Sequence, residues 1–482
     1  MLVAIAIGFS ISSCGGHSLP PQPPSEFGTE QSTSRSLTTT GKPVRYIVID
    51  MGTFGGPVSS INFPVFGFNL NQRGDAIGWS AFSTPTSSTS SPFVCGGLDG
   101  VVPFITHAFE WTGTVHDLGA LPPQRENCSE PFAINNAGDV AGASENGEYD
   151  PLLIIKQARA VLWKNGQIID LGTLGGLESA AFALNDRGQV AGNSTNNVRD
   201  VYCFANSDQN HGFFWQNGHM RDLGTLGGNC SVVNAINERG EVVGGSTTSA
   251  KANPITGAPP EHPFLWRENG GMQDLKGLGG DGSAGALNER DQVIGSSGSH
   301  ADPGACDVPD HPTVNCHPFL WERGRIVDLN TSTIGGKPVF LSGINDDGEI
   351  IGSAAFPHAS FDAFIWRQGV ATDLGHLDGC TSSAHSMNSR RQIVGWVFPC
   401  NARGDVLGFL WEKGSMVDLN TLISRDSNLR IVQAEDINDR GEIAGIGVPR
   451  GVSTFDYQTR GHGFLLIPCD RDGRPITDAS IV

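Results

Sequence analysis

An Asp followed by Leu or Met recurs eight times, at Asp50, Asp117, Asp170, Asp222, Asp274, Asp328, Asp373 and Asp418. The spacings are 67, 53, 52, 52, 54, 45 and 45 residues. Repetition of this kind constrains the fold before any local reading does. A unit this small cannot bury its own apolar face and must lean on copies of itself.

The fullest copy runs from His211 to Ser246 as HGFFWQNGHMRDLGTLGGNCSVVNAINERGEVVGGS. Turn signals break it into four short segments: His-Gly-Phe-Phe-Trp, one ending in Asp-Leu-Gly, one ending in Ala-Ile-Asn, and Val-Val-Gly-Gly-Ser. That is the pattern of four antiparallel strands. Asn217-Gly218 joins the first two and Asn237-Glu238-Arg239-Gly240 the last two, so both joints read as hairpins. The second joint predicts a type I turn whose last residue has positive φ, where glycine carries no Cβ penalty. Gly74, Gly138, Gly188, Gly240, Gly348 and Gly441 fit, whereas Asp291 and Arg391 stand there instead.

Four strands per unit with radial repetition predict an all-β, eight-bladed β-propeller; a linear β-solenoid is the alternative. The ends favour the ring. Tyr46-Ile47-Val48-Ile49-Asp50 has no Phe-Trp strand before it, and the chain finishes with a spare one, His462-Gly463-Phe464-Leu465-Leu466. The two ends are therefore expected to share a blade and remove an exposed edge. The Phe-Trp strand is the expected innermost strand, because its second position is small in every copy (Ala108, Ala160, Gly212, Pro263, Pro318, Ala363, Gly408, Gly463). The segments of 7 to 26 residues before each Phe-Trp strand are expected to cross from blade to blade. They should share one face with the loops after Asp-Leu-Gly.

The repeat resembles a bacterial extracellular family named for its His-Ala-Phe (HAF) triplet, which His107-Ala108-Phe109 spells literally. The resemblance covers residues 44–468 and implies an extracytoplasmic location, with no activity attached. Ile11-Ser12-Ser13-Cys14, after a short apolar run, resembles a lipobox. It implies a signal peptide (1–13), lipid at Cys14 and an outer-membrane or cell-surface lipoprotein, with plain secretion as the alternative. Residues 14–43 read as a Ser/Thr/Pro-rich tether and 469–482 as a polar tail. In an oxidising compartment the remaining cysteines are expected to pair: Cys95 with Cys128, Cys203 with Cys230, Cys306 with Cys316 and Cys380 with Cys400, leaving Cys469 over.

Lys+Arg number 31 against 50 Asp+Glu, a net charge of −19. This excludes nucleic acid as a partner and leaves a membrane role only through the N-terminal lipid. No phosphate loop, dinucleotide fingerprint, Gly-x-Ser-x-Gly elbow or zinc-binding His-Glu-x-x-His occurs, so no cofactor, metal or catalytic residue is assigned. The repeated Asp and the repeated Asn (Asn71, Asn135, Asn185, Asn237, Asn288, Asn345, Asn388, Asn438) read as turn anchors, since a catalytic site is asymmetric. Function is expected where the repeat breaks. The breaks include the insertion from His300 to His311 and the segment His376-Leu377-Asp378-Gly379-Cys380 with His385. The expectation is a monomeric, non-enzymatic binding or scaffold propeller of the cell envelope that takes an unknown protein or glycan on its long-loop face. The alternatives are a polysaccharide-active enzyme, with Glu145, Asp150, Asp302 and Asp310 among its candidate acids, and a structural repeat with no ligand.

Overall fold

Each four-segment unit carries two short hairpin turns, such as Asn217-Gly218 and Asn237–Glu241, so neighbouring segments pair antiparallel. The computed structural model describes residues 45–61, 68–92, 94–95, 102–200, 202–203, 208–252, 258–299, 316–329, 339–356, 361–401, 404–470 and 474–476. Cys14, the signal peptide and tether, Cys306, Asp302, Asp310 and the insertion from His300 to His311 lie outside them.

Eight four-stranded antiparallel sheets form the blades of a β-propeller. In chain order they span 59–117, 129–172, 179–222, 231–274, 279–328, 339–373 and 381–418 for blades 1 to 7. Blade 8 is built from 429–469 plus the N-terminal strand Arg45–Asp50. That strand pairs with His462–Cys469, Val48 opposite Leu466 and Asp50 opposite Phe464. The N-terminus thus supplies one strand and the C-terminus three.

The radial order differs from the expectation. Within each blade the Ala-Ile-Asn strand is innermost, followed by the Val-Gly strand, the Phe-Trp strand and the outer Asp-Leu strand. The inner strands of adjacent blades meet around the axis, while the outer strands, such as His219–Asp222, are largely exposed. The small residue of the Phe-Trp strand has a different cause. Its N–H donates to a serine of the next blade's inner strand, Gly212 to Ser231 Oγ, Ala108 to Ser129 and Gly463 to Ser59. A Cβ on Gly212 would meet Val233 Cγ2 at 2.8 Å. The crowding lies between blades, not at the axis.

A second correction follows from the same order. The long segments before each Phe-Trp strand join second to third strands within one blade; the crossing is the shorter loop after Asp-Leu. Both kinds of loop nevertheless lie on one face, because strands alternate in direction.

Phe109, Phe213, Phe264, Phe319, Phe364, Phe409 and Phe464 are fully buried. Phe213 and Trp215 share a face and pack on Leu162 and Ala160 of the preceding blade; Phe264 and Trp266 pack on Phe214 in the same way. Each such burial contributes roughly 1.5–3 kcal/mol, so stability is spread over equivalent joints. Polar links reinforce them. Each repeated Asn turns its Oδ1 on its own hairpin, as Asn135 does toward Ala137 N and Asp139 N. In seven of the eight the Nδ2 also donates to the next blade: Asn71 to Asn135 O, Asn135 to Asn185 O, Asn185 to Asn237 O, Asn237 to Asn288 O, Asn288 to Asn345 O, Asn388 to Asn438 O, and Asn438 back to Asn71 O. In the hairpin turn Gly240 has φ +80°, and Asp291 and Arg391 adopt the same region at +62° and +61°. Arg391 therefore keeps the turn at the strain cost of a Cβ there.

Candidate functional site

The repeated carboxylates are used up locally. Asp222 accepts from His211 Nδ1 and from Gly224 N at 2.7 Å, and Asp50 takes the same pair from His462 and Gly52. Burial opposes their ionisation, but these hydrogen bonds outweigh it and hold both carboxyls below the ordinary range. In blade 6 the partners trade places. Asp362 stands where His is usual, and His376 from the broken Thr-Leu-Gly-Gly segment supplies the imidazole at 3.0 Å.

The long-loop face is tightly held. Disulfides join Cys95 to Cys128, Cys203 to Cys230 and Cys380 to Cys400. Cys469 is buried at the end of the last strand. Inner-edge serines pin the crossing loops, Leu226 N to Ser246 Oγ and Leu174 N to Ser194 Oγ, both at 2.9 Å. Glu145 is fully buried and accepts from Ser91 N, Cys128 N and Lys156 Nζ, which makes it the clamp of the first disulfide loop.

Asp150 has a different neighbour. It is buried and anchors Leu152 N at 2.6 Å. Glu178, ahead of the inner strand of blade 3, accepts from Ala158 N at 2.6 Å. Burial raises Glu178 most, the Ala158 N–H lowers it, and the nearby negative charge of Asp150 raises it again, to about 8.

Two further asymmetries escaped sequence reasoning. Register shifts mark a β-bulge late in the inner strands, between Ala181 and Ala183 in blade 3, Ala384 and Ser386 in blade 7, and Ala434 and Asp436 in blade 8. Phe182 fills the bulge in blade 3, whereas His385 and Glu435 fill it in blades 7 and 8 and pair at 2.5 Å, both buried. Beside them Ser386 Oγ donates to Asp436 at 2.7 Å. Burial pushes Asp436 up to about 6, against the pull of hydrogen bonds from Ser386, Asn69 N, Ile437 N and Leu70 N. Comparing bulge positions one repeat apart would have exposed this pair.

The other asymmetry is a cleft of about 870 Å³ on the long-loop face where blades 7 and 8 meet. The crossing loop there reads Thr421-Leu422-Ile423-Ser424-Arg425 in place of Thr-Leu-Gly-Gly, a signal legible in the sequence. Arg425, Arg430 and Arg450 are among its lining residues. Arg430 makes a two-pronged pair with Asp405, Nη1 to Oδ1 at 2.8 Å. Arg450 is fixed by the carbonyls of Ser427 and Arg425 at 2.6 and 2.7 Å. Next to the cleft, Phe398 and Phe455 stack edge to face at 5.5 Å and are 37% and 38% exposed.

No protein-family model matches the chain, and no curated protein does. Solved structures are similar at the level of fold. The Pyrococcus horikoshii acylaminoacyl peptidase is 10% identical over 80% of this chain and 56% of its own, with a TM-score of 0.40. A Mycobacterium tuberculosis puromycin-hydrolyzing peptidase is 13% identical over 83% and 62%, with a TM-score of 0.41. An ulvan lyase of a polysaccharide lyase family is 11% identical over 73% and 92%, with a TM-score of 0.32. The chain thus spans 56% and 62% of the two peptidases it matches.

Proposed function

We propose that this chain is a non-enzymatic binding or scaffold propeller of the bacterial cell envelope, of the HAF-repeat type, held at the membrane by lipid on Cys14. The observation that carries the reading is the 870 Å³ cleft, formed on the loop-bearing face of a wheel whose repeated Asp carboxylates, such as Asp50 and Asp222, are tied to His and backbone groups of the scaffold. A rigid framework with its variable loops gathered on one face suits recognition. Three disulfides hint at an extracytoplasmic location, where oxidised cysteines persist.

The test is a binding screen of the full chain against envelope extracts and glycan arrays, run beside an assay for new reducing ends or unsaturated sugars. Saturable binding without turnover is the expected result. Turnover of any polysaccharide would replace this reading with the enzymatic one, and absence of binding would leave the scaffold alone.

A further inference from the structure

We infer that the cleft between blades 7 and 8 binds the carboxylate-bearing sugars of an acidic polysaccharide, a uronate chain, with Arg425 and Arg450 on the carboxylates and Phe398 and Phe455 as the stacking surface. The inference rests on the binding reading above and names the ligand class of that site. Its first support is charge. The chain is strongly acidic overall, yet this cleft gathers Arg425, Arg430 and Arg450 against the single carboxylate of Asp405 among its lining residues. Asp405 pairs with Arg430. Neither Arg425 nor Arg450 has a carboxylate partner among the described residues, so positive charge remains for an incoming anion.

The second support is rigidity. Arg450 spends Nε and Nη2 on two backbone carbonyls, which fixes the plane of its guanidinium without cancelling its charge. A planar fork held in place matches a carboxylate better than a mobile ammonium does. The N-terminal strand braces the same crossing loop, Tyr46 N donating to Leu422 O at 3.0 Å.

The third support separates a sugar from a simple anion. Phe455 lies two residues beyond Ser453, a lining residue whose hydroxyl caps its N–H. Phe398, Trp396 and His385 continue the line of edge-to-face contacts at 5.7 and 6.1 Å back into the blade. This backing orders two exposed rings set nearly perpendicular to one another, so that an apolar ring surface stands beside the arginines. A pyranose offers an apolar face for such a ring and, in a uronate, a carboxylate for the arginines; a phosphate ion offers only the charge.

The test is calorimetric titration of the full chain with oligogalacturonate, with a malto-oligosaccharide of equal length and with polyglutamate. Oligogalacturonate is expected to bind, more weakly as salt rises, while the neutral glucan and the ringless polyanion do not bind at the same concentrations. Arg425→Gln, at an exposed side chain outside the scaffold's hydrogen bonds, is expected to weaken binding about tenfold. Phe455→Leu is expected to weaken it severalfold, with both variants melting as the parent does. Equal affinity for the glucan or for polyglutamate overturns the inference. So does binding that ignores salt, or that Arg425→Gln leaves unchanged. In that last case the general binding reading survives, because the sugar is held elsewhere. If no probe binds, the inference falls, and the envelope screen decides the broader reading separately.

Discussion

Replacing Glu178 by Gln is expected to reverse a pH penalty built into the joint between blades 2 and 3. In the folded chain the Glu178 carboxyl holds its proton up to about pH 8, whereas in the unfolded chain it releases it near 4.5. Between those values the folded state binds more protons, so stability falls as pH rises. The contribution is complete below pH 4.5 and is lost through pH 8. Across this window the loss amounts to roughly 4–5 kcal/mol. Gln reproduces the uncharged form, accepting from Ala158 N through its oxygen and placing no second negative charge beside Asp150. The variant should therefore melt with the parent at pH 4.5 and about 4–5 °C above it at pH 8.5, given the unfolding entropy of a chain this long. Scanning calorimetry at one scan rate checks this, and taking the difference between the two proteins cancels every other titrating group. A gap of equal size at both pH values, or a variant less stable at pH 8.5, refutes the account of a buried carboxyl that keeps its proton.

Phe464→Ala should cost about 3–5 kcal/mol, since the ring is fully buried among Tyr46, Leu410 and Leu466. Hydrogen exchange at residues 45–50 should rise with it, and unchanged protection there would count against the split blade. Replacing Cys203 and Cys230 by Ser opens a loop with a sequence separation of 27 and should cost about 3–4 kcal/mol on chain-entropy grounds, read as a lower midpoint in urea. Lys413 has φ +52° ahead of Gly414 at +82°, the geometry of a type I′ hairpin that Asn suits better. Lys413→Asn should therefore raise stability by about 0.5 kcal/mol, and a loss instead would mean that the lysine has a role beyond the turn.

The blade count, the two hairpins of each unit and the closure by the two ends were legible in the sequence, because each leaves a mark at fixed spacing; the pairing of the Val-Gly strand with the Phe-Trp strand, and with it the split of one N-terminal to three C-terminal strands, was not. The radial order was not. A small residue is demanded equally by a crowded axis and by a neighbour's serine, and the sequence of the Phe-Trp strand does not distinguish the two. Ser129, Ser179, Ser231 and Ser382 each stand six residues ahead of the repeated Asn, and that period was the clue to the correct order. The long loops were placed on the right face but given the wrong connection, because a repeat read from Phe-Trp to Val-Gly is offset by half from the blade. Asp150 was marked as a candidate acid, yet its partner Glu178 belongs to the next blade and carries no motif. The arginine cleft draws on three loop segments, at 405, 420–430 and 449–453, that only the packing of blade 8 on blade 7 brings together.

The split blade also sets an order of events during biosynthesis. Residues 45–50 leave the ribosome before almost everything else in the wheel, yet the strand they pair with, His462–Cys469, emerges near the end. The earliest ribbon made is thus the latest to be satisfied. Until then its backbone donors and acceptors are open to strangers. Joining segments so far apart in sequence also makes for slow closure. A chain of this design gains from passing its assembly time in isolation, under the guard of a chaperone or beyond a translocation pore.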